Sequence, residues 1–201
     1  MLNSDFRYFI INKPFGVLSQ FTAEGGHPGL LSLGFDLPKD IYPVGRLDHD
    51  SEGLLILTND NLLKTRLLDP KREHGKKYWV QVEGEATEAS MARLRSGVQI
   101  SINGKSIQTR PAVAEIIETP PVWERNPPIR VRKSIPDSWI IMGIHEGKNR
   151  QIRRMTASVG LPTLRLVRYS IENLTLGTLQ PGEILELSKN DIYQKTLYSN
   201  R

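Results

Sequence analysis

Apolar runs along the chain predict more strands than helices. Tyr8-Phe9-Ile10-Ile11, within Arg7 to Asn12, reads as a strand that Pro14 and Gly16 stop. Val17 to Phe21 is predicted as a second short strand, Glu24 to Pro28 with Gly25 and Gly26 as a loop, and Ile41 to Leu47 as extended chain. Gly53 to Leu57 is apolar without a break, the pattern of a strand buried on both faces. Leu63, Leu67 and Leu68 recur at helical spacing behind a capping Asn59 or Asp60. Lys77 to Val82 then alternates, so that Tyr78, Val80 and Val82 share one face of a strand.

The second half continues in the same way. Thr87 to Gly97 reads as a helix whose cap has Ser90 where a capping box carries an acid, and which Gly97 ends. Val98 to Ile102 and Ser106 to Thr109 flank Asn103-Gly104, the dipeptide of a type I′ hairpin turn. Ala112 to Ile117 is a further strand, and the Pro-rich stretch Thr119 to Pro128 a connection. Ser138 to His145 is a strand with Trp139, Ile141 and Gly143 on one side. Asn149 is placed to cap a helix from Arg150 to Val159, with Gly160 at its end. Leu164 to Tyr169 and Glu183 to Leu187 read as strands, and Lys189 to Leu197 as a last helix. No repeat or linker interrupts the series. Hairpins dominate, which predicts an α+β fold: a large, mostly antiparallel sheet carrying a few helices.

Composition narrows the chemistry. The 201 residues hold no cysteine, which removes disulfides, thiolate metal sites and cysteine nucleophiles. His27, His49, His74 and His145 lack metal-ligand spacing, and no Gly-rich phosphate loop is present. No signal layout opens the chain, and no apolar stretch approaches the roughly 18 residues that cross a bilayer. A cytoplasmic, unanchored protein is expected. The net charge of +5 is unevenly distributed. Between Pro121 and Ser170 stand ten Lys and Arg, including Lys133, against three acids, a local +7 that leaves −2 for the remainder. Eight of those ten are Arg, whose planar fork of donors suits phosphate oxygens and base edges. A polyanionic partner is implied.

Two segments could carry chemistry. In Gly45-Arg46-Leu47-Asp48-His49-Asp50-Ser51-Glu52-Gly53 three acids recur at every second position. If the chain stayed extended they would share one face. In Glu146-Gly147-Lys148-Asn149-Arg150-Gln151-Ile152-Arg153-Arg154-Met155, helical spacing would put Arg150, Arg153 and Arg154 on one side, with Ile152, Met155 and Val159 toward a core. A basic helix start is a natural site for a phosphate or a carboxylate.

These segments, with Asn12-Lys13-Pro14-Phe15-Gly16-Val17, Ser51-Glu52-Gly53-Leu54-Leu55-Ile56-Leu57-Thr58-Asn59-Asp60 and Lys76-Lys77-Tyr78, occur in an order that resembles the RsuA/RluE-type pseudouridine synthases of ribosomal RNA. The resemblance spans nearly the whole chain. It implies a pseudouridine synthase fold with a central catalytic cleft, residues 1–201 forming a single catalytic domain. Many family members carry an N-terminal S4-type RNA-binding domain. Here the chain begins almost at the Asn-Lys-Pro strand, as in the RluE branch that acts on large-subunit (23S) rRNA.

By that resemblance Asp48 is the catalytic aspartate, acting on a uridine flipped out of its helix. The reaction breaks the N1–C1′ bond, turns the free uracil and joins C5 to C1′, with no redox change and no cofactor. Whether the carboxylate attacks C1′, adds to C6 or removes the C2′ proton stays open. Arg153 is the cation that keeps Asp48 ionised. Tyr78 stacks on the uracil and could relay the C5 proton, and Ile152 packs on the other face. Arg46 fills the vacated space or contacts phosphate. RNA contacts are expected from Arg125, Arg130, Arg132, Lys148, Arg150, Arg154, Arg165 and Arg168, with Lys13 and Lys76 at the rim. The stretch from Trp123 to Lys133 could close over RNA. A monomer is expected. Two rival readings of the same residues are a non-catalytic RNA-binding module and a hydrolase using two of Asp48, Asp50 and Glu52.

Overall fold

The computed structural model describes residues 6–130, 132 and 134–198; Lys133 of the cation cluster lies outside the described residues. The strands are β1 (Tyr8–Lys13), β2 (Tyr42–Pro43), β3 (Glu52–Thr58), β4 (Lys76–Glu83), β5 (Gln99–Ile102), β6 (Lys105–Gln108), β7 (Val113–Ile117), β8 (Asp137–Ile144), β9 (Thr163–Ile171), β10 (Leu174–Thr175) and β11 (Ile184–Leu187). The α-helices are α1 (Asn61–Leu68), α2 (Glu88–Ser96), α3 (Gln151–Ser158) and α4 (Lys189–Thr196). The α+β expectation holds. The chain divides into two compact units, one comprising the residues up to His74 with those from Tyr169 onward, the other Gly75–Arg168.

In the first unit β1 pairs antiparallel with both β3 and β11, for example Ile11 with Leu55 and with Ile184. Every residue of β1 and of β3 is buried, as the unbroken apolar run of β3 requires. One face carries Phe9, Ile11, Leu55 and Leu57, covered by Val17, Leu30 and Ile41, with Phe21, Leu33, Phe35 and Leu37 packed around them. Each such side chain contributes about 1.5–3 kcal/mol of burial. From the face of alternate residues Tyr8 meets Tyr193 of α4 edge-on, with ring centroids 6.2 Å apart. Both hydroxyls donate to the buried carboxylate of Asp60, at 2.8 and 2.6 Å. Asp60 also caps α1, accepting from Leu62 and Leu63 N–H.

Val17 to Phe21 is not the strand its apolar character predicts. Leu18 N–H donates to Pro28 O, and the N–H groups of Leu30 and Leu31 donate to Gln20 O and Phe21 O. The segment therefore forms an irregular cover over the sheet, held to residues 28–31, and uses Val17 and Phe21 to fill the core. The extended stretch expected over Ile41 to Leu47 narrows to β2, because Gly45 bends the chain at φ +75°.

In the second unit β4, β8 and β7 are antiparallel neighbours, with Tyr78 opposite Met142 and Ala114 opposite Met142 from the other side. Tyr78, Val80 and Val82 are buried together, as their alternation predicts. The hairpin β5–β6 turns at Asn103 and Gly104, both at positive φ. On α2 the capping box is complete: Thr87 Oγ1 accepts from Ser90 N–H, and Ser90 Oγ accepts from Thr87 N–H, so a hydroxyl serves where an acid is usual. This unit carries sixteen Lys and Arg against eight Asp and Glu, a net +8, leaving −3 for the rest of the chain.

Candidate active site

The three acids of the first segment do not lie along one strand. Asp48 C=O accepts from Ser51 N–H at 3.0 Å, closing a turn, and only Glu52 belongs to β3, where it is buried. A two-residue alternation needs extended backbone, and the turn removes it. Asp48 is half-buried, Arg46 exposed, and Leu47 buried between them.

The residues on either side of Asp48 are pinned by the cover segment. Ser19 Oγ accepts from Leu47 N–H and donates to Leu47 C=O, each at 2.9 Å. Gly16 N–H donates to His49 C=O at 2.7 Å. The His49 ring lies against that of His27, with centroids 4.2 Å apart and planes 30° from parallel. Lys13, expected at a rim, is instead wholly buried, its ammonium donating to Pro14 O and Val17 O at 2.9 and 2.6 Å. It holds the start of this segment, where no phosphate can reach it.

In the second unit α3 begins at Gln151, with Arg150 at the cap position in left-handed conformation at φ +50°. Asn149 is not the cap, and Arg150 precedes the helix that carries Arg153 and Arg154. Gln151 performs the capping work from inside: its Oε1 accepts from Lys148 N–H at 3.0 Å, while its amide donates to Glu146 Oε1. Glu146 further accepts from Arg110 N–H at 3.0 Å and from the Lys148 ammonium. Burial pushes the Glu146 carboxyl pKa upward, but these donors outweigh it and leave it below the ordinary carboxylate value. Lys148, read as a phosphate ligand, is thus an ion-pair partner of Glu146.

Ile152 and Tyr78 are both buried. Arg153 is half-buried, with Nη1 3.5 Å from Thr163 O. Arg154 bonds Asn149 and, through Nη1, Ser101 O at the end of the hairpin. Arg125 donates to Pro127 O and Pro128 O, Arg132 pairs with Glu83 at 3.2 Å, and Arg130 is exposed. Lys76 opens β4 opposite Ile144. Among the described cations of the cluster, Arg165 and Arg168 are not surface groups. Arg165 is buried, donating to Trp123 O at 2.8 Å with its guanidinium 5.4 Å from the Trp123 ring centroid, and Arg168 is buried as well. Sequence alone gives no warning of this, because an Arg side chain is long enough to carry its charge to a carbonyl or ring.

Sequence reasoning also passed over Ser19 and Gln151. Ser19 bonds backbone groups, and Gln151 bonds the Lys148 backbone and the Glu146 side chain, so no residue pattern marks them. An open concavity of about 480 Å³ among Arg93, Ser96, Gln99, Gln108 and Ser158 is lined by none of the candidate site residues. Among the described residues no cluster of three or more His, Asp or Glu is placed to hold a metal, and no helix is long and apolar enough to cross a membrane.

The family model described as RNA pseudouridylate synthase matches residues 7–158, and the chain belongs to that family. Among curated relatives, it is 52% identical over 182 residues to the ribosomal large subunit pseudouridine synthase E of Vibrio vulnificus, an overlap of 90% of this chain and 75% of the relative. The protein of the same description from Xanthomonas campestris is 51% identical over 175 residues, 87% of this chain and 91% of the relative. Ribosomal large subunit pseudouridine synthase B of Bacillus subtilis is 34% identical over 185 residues, covering 92% of this chain and 69% of the relative. A crystal structure of a pseudouridylate synthase superposes with a TM-score of 0.78 at 27% identity, over 97% of this chain and 75% of that one.

Proposed function

We propose that this protein isomerises a uridine of large-subunit ribosomal RNA to pseudouridine, with Asp48 as the catalytic aspartate. The observation that carries this reading is about 50% identity, across roughly nine-tenths of the chain, to proteins described as ribosomal large subunit pseudouridine synthase E. Residues 1–201 act as one catalytic domain, in the cytoplasm and as a monomer. The reaction needs one ionised carboxylate, a way to hold an extruded base, and donors for the flanking phosphates. Asp48 supplies the first, as nucleophile or base. The family resemblance assigns to Arg153 the role of keeping it ionised, as a cation does for a carboxylate. Tyr78 and Ile152 contact the two faces of the uracil, and the Tyr78 hydroxyl relays the proton lost from C5. Atoms balance within the nucleotide: the N1–C1′ bond breaks, C5–C1′ forms, C5 loses a proton and N1 gains one.

Flipping the base costs a few kcal/mol. Contacts from Arg46, Lys76, Arg125, Arg130, Arg132, Arg150 and Arg154 to the RNA backbone offset that cost, and the +8 charge of residues 75–168 supports an RNA-facing role for that unit. Lys148 contributes through the Glu146 pair, and Lys13, Arg165 and Arg168 contribute as buried supports rather than as phosphate ligands.

The test is incubation of the purified protein with transcribed 23S rRNA, followed by mapping of pseudouridine and by mass analysis. The expected result is one or a few isomerised uridines with no change in RNA mass, and no product from Asp48→Asn, although that variant still binds RNA. Binding without isomerisation by the parent protein would replace this reading with that of an RNA-binding module. Release of free base or a cut strand would replace it with a hydrolase.

A further inference from the structure

An aspartate that acts on one carbon of an extruded nucleotide must be held to within a fraction of an ångström, because a displacement of about 1 Å costs on the order of a hundredfold in rate. Asp48 lies at the start of a turn outside any strand or helix, so the hydrogen-bond ladder of β3 does not fix it. Both of its chain neighbours are held by one short segment. The Ser19 hydroxyl, 4% exposed, bonds both the N–H and the C=O of Leu47, the residue before Asp48. On the other side, the His27 ring stacks on His49, the residue after Asp48, whose carbonyl accepts from Gly16 N–H.

His27 is itself rigidly presented. Glu24 and His27 exchange both backbone hydrogen bonds, at 3.1 and 3.0 Å, around Gly25 and Gly26 at φ +59° and +79°. Glycine adopts both conformations without steric cost. We propose that Ser19 and His27 are positioning residues for Asp48: a side-chain hydroxyl and a ring, acting through Leu47 and His49, set the place and direction of the carboxylate. The inference rests on the reading of Asp48 as catalytic. A hydroxyl facing both groups of one peptide residue fixes its translation, and a ring stacked on the next side chain limits rotation of the turn. Together they confine the residue between them.

The experiment measures single-turnover pseudouridine formation and RNA affinity for the parent protein and for Ser19→Ala, His27→Ala and His27→Phe, with thermal melts alongside. Ser19→Ala and His27→Ala are expected to lower the rate constant by about ten- to a hundredfold, with RNA affinity held within about twofold and a cooperative melt retained. His27→Phe, which keeps a flat ring to stack, is expected to restore most of the rate. His27 lies half-exposed on a turn, so its variants decide the matter even if Ser19→Ala proves unstable. Unchanged rates in His27→Ala, a rate loss matched by an equal loss of affinity, or a His27→Phe variant as slow as His27→Ala would each overturn the proposal. A parent protein that forms no pseudouridine would instead overturn the proposed function.

Discussion

Asp60 joins three elements through one carboxylate: it caps α1, anchors β1 through Tyr8 and anchors α4 through Tyr193. Burial works against its charge, yet the donors from Tyr193, Tyr8, Leu63 and Leu62 prevail and keep its pKa below the ordinary value. The two phenols respond in the opposite sense: burial and then the bond to Asp60 push Tyr193 up to about 12, and Tyr8 rises too. Because the folded-state pKa of Asp60 lies below its unfolded value, its stabilisation is complete above about pH 4 and is lost as the pH falls through the folded pKa. Asp60→Asn is expected to lower stability at neutral pH by about 1–3 kcal/mol and to flatten the loss of stability as the pH falls below about 4. Chemical denaturation of both proteins across that range checks it. An unaltered acid slope would mean that other carboxylates govern acid unfolding.

Glycine shows how differently two turns depend on the same residue type. Gly97, which ends α2, has φ +82°, and a Cβ there would sit 2.4 Å from Thr109 O and 3.2 Å from Arg110 O. Gly104, in the hairpin turn, has φ +76° with open space around it. Gly104→Ala is expected to cost only the backbone strain, about 1–2 kcal/mol. Gly97→Ala must also move a carbonyl and is expected to cost more, with the larger fall in melting temperature. Equal shifts would show that the 98–109 hairpin yields freely. The turn at Asn103-Gly104 and the end of α2 were both legible in the sequence because local backbone chemistry decides them. So was β3, whose unbroken apolar run has few alternatives. Val17 to Phe21 misled because apolar character marks burial rather than conformation, and here burial is met by a cover segment. The start of α3 misled for a related reason: Asn149 is a good cap, but Gln151, joined to Glu146 and Lys148, organises that loop through contacts that no cap rule includes.

Charge is divided between the units, and burial decides which cations count toward binding. Of the groups in the Arg-rich quarter, Arg130 is exposed whereas Arg165 is enclosed against Trp123. RNA affinity is expected to fall steeply with salt, with log K declining, per tenfold rise in salt, by about 0.7 for each single-strand phosphate neutralised. Arg130→Ala is expected to reduce that slope by up to this amount and leave the melting temperature unchanged. Arg165→Ala is expected to lower the melting temperature and leave the slope alone. Titrations at several salt concentrations distinguish them, and the reverse pattern would reassign the two residues. Composition made the polyanionic partner legible, but a cation count does not reveal which guanidinium groups face inward. Lys13 is the extreme case, an ammonium closed off from water at the head of the segment that holds Asp48. An amine-reactive reagent should therefore acylate the exposed lysines within minutes and spare this one, so that its labelling, followed by peptide mass fingerprinting, would serve as a built-in clock for how often that part of the molecule breathes.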